Sequence, residues 1–377
     1  MDAVTAIGEI DRPRTGRAAP RVAVVLFNLG GPDRIESVRP FLYNLFSDRA
    51  IIRAPAPIRQ LLAWLITKRR LGPATENYEV LGGRSPLLEL TEQQARALES
   101  ALAPDLEARC FIAMRYWHPM SEETARAVRD WSPDEVILLP LYPQFSTTTT
   151  GSSLDAWREA AARVGLVAPT RIVCCYHSDA GFVGATAAIV RRAYDEARAS
   201  LDPAVPLRVL FSAHGLPESI VKAGDPYQWQ VEQTVAAVAA AMDVTALDHV
   251  VCYQSRVTPQ KWIGPSTEEE LKRAGEEKVA VLVVPIAFVS EHSETLVELD
   301  VEYREEAAQF GVPAYFRAPA QNSDAGFVAA LAGLVRRTRG APRSLCSFRG
   351  ARTCPKSHGD CPHARRGFVT VANPAAA

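Results

Sequence analysis

No stretch of this sequence is long and apolar enough to cross a bilayer. The longest hydrophobic runs, 279–289 (VAVLVVPIAFV) and 235–242 (VAAVAAAM), fall well short of the roughly 20 residues that a spanning helix needs. Excess charge of either sign is missing too: 42 Lys and Arg stand against 43 Asp and Glu, a net charge of −1. No basic field would hold a phosphate backbone, so nucleic acid is excluded as the main partner. Neither G-x-G-x-x-G nor G-x-x-x-x-G-K-[ST] occurs, which removes the dinucleotide fingerprint and the P-loop. Cysteine is scarce and odd in number, seven in 377 residues. Residues 1–20 (MDAVTAIGEIDRPRTGRAAP) carry Pro and Arg where a signal peptide needs an apolar core. The expectation is a disordered tail over 1–20, a reducing compartment without a disulfide framework, and a cytoplasmic address.

What is present has the balance of a globular chain, 47% hydrophobic and 23% charged. At roughly 150 residues per domain, the length suggests two domains. Short Val/Ile/Leu runs predict strands at Val22–Leu29, Phe111–Tyr116 and Val136–Tyr142, and again at Leu207–Ala213, Val250–Tyr253 and Val279–Phe288. These runs lack polar alternation and are separated by amphipathic stretches such as Leu87–Leu102 and Glu232–Met242. That pattern predicts parallel sheets covered on both faces, an α/β doubly wound fold. The halves echo each other: VAVVLFNLGGP at 22–32 parallels LRVLFSAHGLP at 207–217. The reading is therefore two Rossmann-like lobes, 21–168 and 169–340, the last helix of the second packing on the first. An irregular, cysteine-bearing extension follows at 341–377. Ligands of open α/β sheets bind beyond the carboxyl ends of the strands.

The polar features fall at those ends. In Ser212-Ala213-His214-Gly215-Leu216-Pro217, a histidine closes a strand and a glycine leaves its imidazole uncovered, free to take a proton or bind a transition metal. After the most apolar strand comes SEHSETLVELDVE at 290–302, where Glu294, Glu298 and Glu302 recur at helical spacing. Stacked carboxylates repel and raise one another's pKa unless they bind cations or pass protons along. A solvated helix face would account for Glu291 alone. With His214 and His292 at the same mouth, a His/Glu site for metal or protons is the better reading. Around it, Lys68-Arg69-Arg70, Arg115-Tyr116-Trp117-His118, the 142–149 stretch YPQFSTTT and Trp262 would form an apolar slot edged with cations and hydroxyls. Such a slot suits a flat hydrophobic molecule bearing carboxylates.

Taken in order, FNLGGP, KRR, Gly82–Leu87 (GGRSPL), RYWHP, LPLYPQFS, SAHGLP, Gly224–Tyr227 (GDPY), Gln254–Trp262 and PIAFVSEHSETLVELD resemble the ferrochelatases, which insert Fe²⁺ into a porphyrin. The resemblance runs from about Val22 to Leu334. It implies two Rossmann-like lobes clamping protoporphyrin IX, with ferrous iron as the other substrate and His214 and Glu294 as the iron-site pair. His292, Glu298, Glu291 and Asp300 would form an acidic path beside it, and Glu291 replaces an aspartate found in some members. Leu29, Arg69, Arg115, Tyr116 and Ser146 would meet the propionates and the opposite face, while Trp262 and Phe288 would pack the ring. The apolar segment Leu61–Ile66 favours protoporphyrin over coproporphyrin and suggests transient contact with the inner membrane surface. A coproporphyrin-specific enzyme and a porphyrin carrier without turnover are the competing readings.

Cys346, Cys354 and Cys361 sit in a basic stretch without periodicity. Some ferrochelatases hold a [2Fe–2S] cluster on C-terminal cysteines, and this tail resembles theirs. Four thiolates are needed, but the position that supplies the fourth in animal members is Thr147 here. Cys174 and Cys175 are the leading replacements, ahead of Cys110 and Cys252. Zinc, completed by His358 or His363, is the alternative.

Overall fold

The computed structural model describes residues 20–255 and 260–364. The strand-forming runs build two parallel sheets. In the first, β1 (Arg21–Asn28) lies between β2 (Glu107–Met114) and β3 (Glu135–Pro140), followed by β4 (Thr170–Cys175) and β9 (Leu345–Ser347), in the order β2-β1-β3-β4-β9. In the second, β5 (Leu207–His214) lies between β6 (His249–Gln254) and β7 (Ala280–Pro285), and β8 (Tyr315–Arg317) forms the edge, in the order β6-β5-β7-β8. Apart from the edge strands, these are nearly all apolar and buried, because helices cover both faces of each sheet.

The six runs read as strands all become strands. The boundary expected at 168/169 is different: β4 pairs with β3 through Val136–Thr170 and Leu138–Ile172, so the first sheet extends to Cys175. The extension is also not wholly irregular, since β9 adds to β4 through Ile172–Leu345 and Val173–Cys346. Both strands are short, and their cysteines read as metal or core residues rather than as strand formers. The helix Ala325–Arg339 packs against β4, against Leu87–Leu102 and against Ala180–Ser200, so it touches elements on both sides of the expected boundary. No helix among the described residues is long and apolar enough to cross a membrane.

One hydrophobic core runs through both halves, joining Val22, Leu26 and Ile137 to Val209, Leu282 and Phe327. Buried polar side chains fasten the halves as well. Asp225, fully buried, accepts from Thr147 N and Oγ1 (both 2.7 Å), Ser146 Oγ (3.0 Å) and Tyr227 N (2.9 Å). Burial lifts its carboxyl above the usual range despite these donors. Gln94, on the helix Leu87–Leu102, donates to Val289 O (3.0 Å) and Asn322 O (2.8 Å) and accepts from Ser290 Oγ (3.0 Å). The strand ends of the two sheets are thus held in one frame. Each buried donor left unpaired costs about 1–3 kcal/mol, so Asp225→Ala should lower unfolding free energy by about 3 kcal/mol, with Asp225→Asn intermediate. Urea denaturation checks this, and a wild-type midpoint for Asp225→Ala would show that the joint contributes nothing.

Candidate active site

His214 is the last residue of β5, level with Gln254 of β6. Its Nδ1 lies 2.6 Å from the carbonyl oxygen of Gly215. A carbonyl only accepts, so Nδ1 carries the proton and donates, leaving Nε2 as the basic nitrogen. Gly215 is needed here for space: a Cβ would stand 2.9 Å from Gln254 O and 3.2 Å from Cε3 of Trp262, whose ring covers it. The half-buried imidazole therefore has a set tautomer and a packed flank.

The second contribution comes after β7. The chain turns through 286–293 and enters Glu294–Glu302, wound as a π-helix with i→i+5 hydrogen bonds. His292 is buried, with its ring centroid 4.6 Å from that of Phe288 and Nε2 3.9 Å from Glu294 Oε2. Neither His292 Nδ1 nor Glu294 Oε2, both buried, makes a hydrogen bond to the described residues. Glu298 Oε2 accepts from Ser255 Oγ (2.6 Å) and Gln254 Nε2 (3.1 Å), and Oε1 accepts from Tyr303 OH (3.2 Å). Burial, with the neighbouring charge of Glu294, pushes the Glu298 carboxyl up to about 7, while its donors and His214 oppose the rise. Burial pushes His292 down, against the pull of Glu294 and Glu291 and with the help of His214.

His214 and Glu294 each act through their charge on both His292 and Glu298, which draws the four into one group. Glu302, expected on the same face, is exposed and meets Asn77 Nδ2 at 3.4 Å. The helix Ala56–Val80 reaches the group from the other side. Burial of Tyr78, reinforced by Glu294 and opposed by Ser293, lifts its hydroxyl to about 12. Arg70 senses the charge of Glu298.

Other expected site residues are placed differently. Glu291 and Asp300 share the half-buried Arg317, at 2.8 and 2.6 Å. Arg115 is committed to Asp48 (2.9 Å) and Ser152 Oγ (2.6 Å). Tyr116, buried, donates to the same Asp48 at 2.8 Å. Ser146 is buried in the Asp225 joint. Leu29 packs beside Tyr78 and Tyr116, and Arg69 is exposed on the helix Ala56–Val80. Sequence reasoning missed Ser255, Tyr303 and Asp48. Ser255 and Tyr303 reach Glu298 only through the fold, and no motif around Asp48 marks it as the anchor of Arg115.

In the extension, Cys346 stands apart, its thiol donating to Arg343 O at 3.2 Å. Cys174 and Cys175 instead approach Cys354 and Cys361, and all four sulfurs interact. Cys174 and Cys175 lie 3.6 Å apart, and the hydrogen bond from Cys174, aided by His177 and Gln230, pulls Cys175 down to about 6 against burial. Gln230 Nε2 also donates to Cys354 Sγ at 3.1 Å. No three of the described His, Cys, Asp and Glu side chains are already drawn in around a single ion position.

Comparison with known proteins adds to this geometry. A family model described as Ferrochelatase matches residues 21–339. A ferrochelatase of Caulobacter vibrioides (strain NA1000 / CB15N) is 54% identical over 346 residues, covering 91% of this chain and 97% of that one. A ferrochelatase of Phenylobacterium zucineum (strain HLK1) is 52% identical over 348 residues, with 90% and 97% covered. Among solved structures, SirB from Bacillus subtilis with Fe3+ superposes with a TM-score of 0.50 over 85% of this chain and 95% of that one. At 12% identity that likeness speaks for the fold alone. A match across both sheets, with relatives sharing half of their residues over nearly the whole length, makes this chain a member of the ferrochelatase family.

Proposed function

We infer that this chain inserts Fe²⁺ into protoporphyrin IX to give protohaem, releasing two protons, as the last step of haem synthesis. The observation that carries the mechanism is a His214 with Nε2 left basic and, near enough to feel its charge, a half-buried Glu298 whose carboxyl is pushed up to about 7. Each pyrrole N–H must lose its proton as the ion enters. His214 Nε2 accepts from the ring, and Glu298, poised close to ambient pH, takes protons onward. Imidazole and carboxylate oxygen both suit ferrous iron, and the unpartnered Glu294 Oε2 faces the same group. Leu29, Trp262 and Phe288 offer apolar surface for the ring, and Arg69 offers a cation for a propionate. Arg115, Tyr116 and Ser146 act one layer back, as the frame of the opposite wall. A macrocycle bent by these contacts exposes its nitrogen lone pairs, so binding strain is used to approach the transition state.

An anaerobic assay of metalloporphyrin formation from Fe²⁺ and protoporphyrin tests this. His214→Ala and Glu294→Gln should each lower turnover by about 100-fold or more, since positioned acid–base groups contribute that much, with porphyrin affinity little changed. Near-normal turnover in both would eliminate the mechanism, and a strong preference for coproporphyrin would eliminate the substrate. Glu298 accepts protons only when ionised, so kcat/KM should climb as pH rises through about 7 and level off above it. Glu298→Gln should remove that rise.

The helix Ala56–Val80 leaves Ile58, Leu61, Trp64 and Leu65 between 45% and 58% exposed, with Lys68 over the Trp64 ring. An apolar face beside cations suits an anionic lipid surface, which would bring a cytoplasmic enzyme to the inner membrane and its apolar substrate. Sedimentation with phosphatidylglycerol vesicles checks this. Leu61→Ser/Leu65→Ser should release the protein into the supernatant, and unchanged binding would refute the contact.

The soft donors Cys174, Cys175, Cys354 and Cys361 suit a [2Fe–2S] cluster in chemistry and number, with Cys346 outside the set. When bound, such a cluster would tie the extension to β4. Protein purified anaerobically should contain iron and acid-labile sulfide and show sulfide-to-iron charge-transfer absorption. Cys354→Ser and Cys361→Ser should lose both, while Cys346→Ser keeps them. Zinc without sulfide would overturn the assignment.

A further inference from the structure

Arg317 ends β8, the edge strand of the second sheet, and takes no part in the proton and metal chemistry proposed above. Its side chain is only 11% exposed. Nη1 donates to Glu291 Oε1 (2.8 Å), while Nε and Nη2 donate in parallel to Asp300 Oδ1 (2.7 Å) and Oδ2 (2.6 Å). This fork-to-fork pairing fixes orientation as well as distance. Glu291 is held further: its Oε1 accepts from Ala320 N (2.9 Å), and its backbone N–H donates to Asn322 Oδ1 (3.0 Å). Burial works to raise the Glu291 carboxyl, but Arg317, Thr295 and the Ala320 amide together hold it below the usual range.

The placement of the two carboxylates matters more than their strength. Glu291 immediately precedes His292, and Asp300 lies two residues beyond Glu298. Between them lies every group of the acidic wall: His292, Glu294 and Glu298. From Glu294 on, that segment is wound as a π-helix, a rare geometry that departs from the usual i→i+4 hydrogen bonding. A return to α-helical winding would rotate Glu298 away from Gln254 and Ser255. We propose that Arg317 is a positioning residue that clamps both ends of this segment and so keeps the acidic wall facing His214.

The proposal rests on the site reading above, and the experiment separates the two. Purified Arg317→Gln, Arg317→Lys and Asp300→Asn are compared with wild type by steady-state kinetics in Fe²⁺ and in porphyrin, with porphyrin binding followed by fluorescence and folding by thermal melting. Misplacement of a site by about 1 Å can cost on the order of 100-fold. Arg317→Gln should therefore lose about 30-fold or more in kcat and raise the KM for metal about fivefold, with porphyrin Kd within about twofold. Arg317→Lys keeps the charge without the fork and should recover only part. A merely structural arginine would lower the melting temperature while leaving kcat per folded molecule and the metal KM unchanged, which would overturn the proposal. If Arg317→Gln does not fold, Asp300→Asn, which retains the Glu291 pair, decides: about tenfold lower kcat supports the clamp and wild-type kinetics refute it. Wild-type kinetics in Glu294→Gln would instead sink the site reading itself.

Discussion

Two carboxylates can share a buried site only if something answers their mutual repulsion. Here Glu294 and Glu298 lie one helical turn apart in a region that burial makes hostile to charge. Glu298 responds in two ways, by taking three hydrogen bonds and by letting its proton affinity rise to about 7. Glu294 keeps one oxygen unpartnered. The rest of the second half serves this compromise. β5 and β6 bring His214 and Gln254 level with each other, Gln254 spans to Glu298, and the loop after β7 sets His292 against Phe288.

Much of this was legible in the sequence, because parallel sheets write themselves as unbroken apolar runs. Their carboxyl ends, where His214 and the 290–302 segment fall, locate a site by topology alone. Family resemblance then named the pair. The fine structure was not legible. Spacing at i, i+4, i+8 assumes α-helical winding, but the segment is a π-helix, so Glu302 faces outward. Glu291 and Asp300 read as members of an acidic row because their partner, Arg317, sits fifteen or more residues away on an edge strand. Arg115 read as a ligand for propionate because nothing near it in sequence announces Asp48.

The sheet to which the strand at the boundary belongs was hidden for a related reason. A six-residue strand with two cysteines at its end, Thr170–Cys175, has too little pattern to be assigned to one sheet or the other. Only pairing with β3 settles it. The same strand draws Cys174 and Cys175 toward Cys354 and Cys361 and leaves Cys346 aside, a grouping that spacing along the extension could not reveal.

The addition of β9 to β4 has one more result. Without residues 345–347, the border of the first sheet would present the unpaired amide and carbonyl groups of β4, flanked by Ile172 and Val173. An open border of this kind is a template for pairing with another chain. Residues 345–347 therefore act as a selvedge, replacing that six-residue border with an outermost strand of only three residues, which offers a neighbour little to pair with.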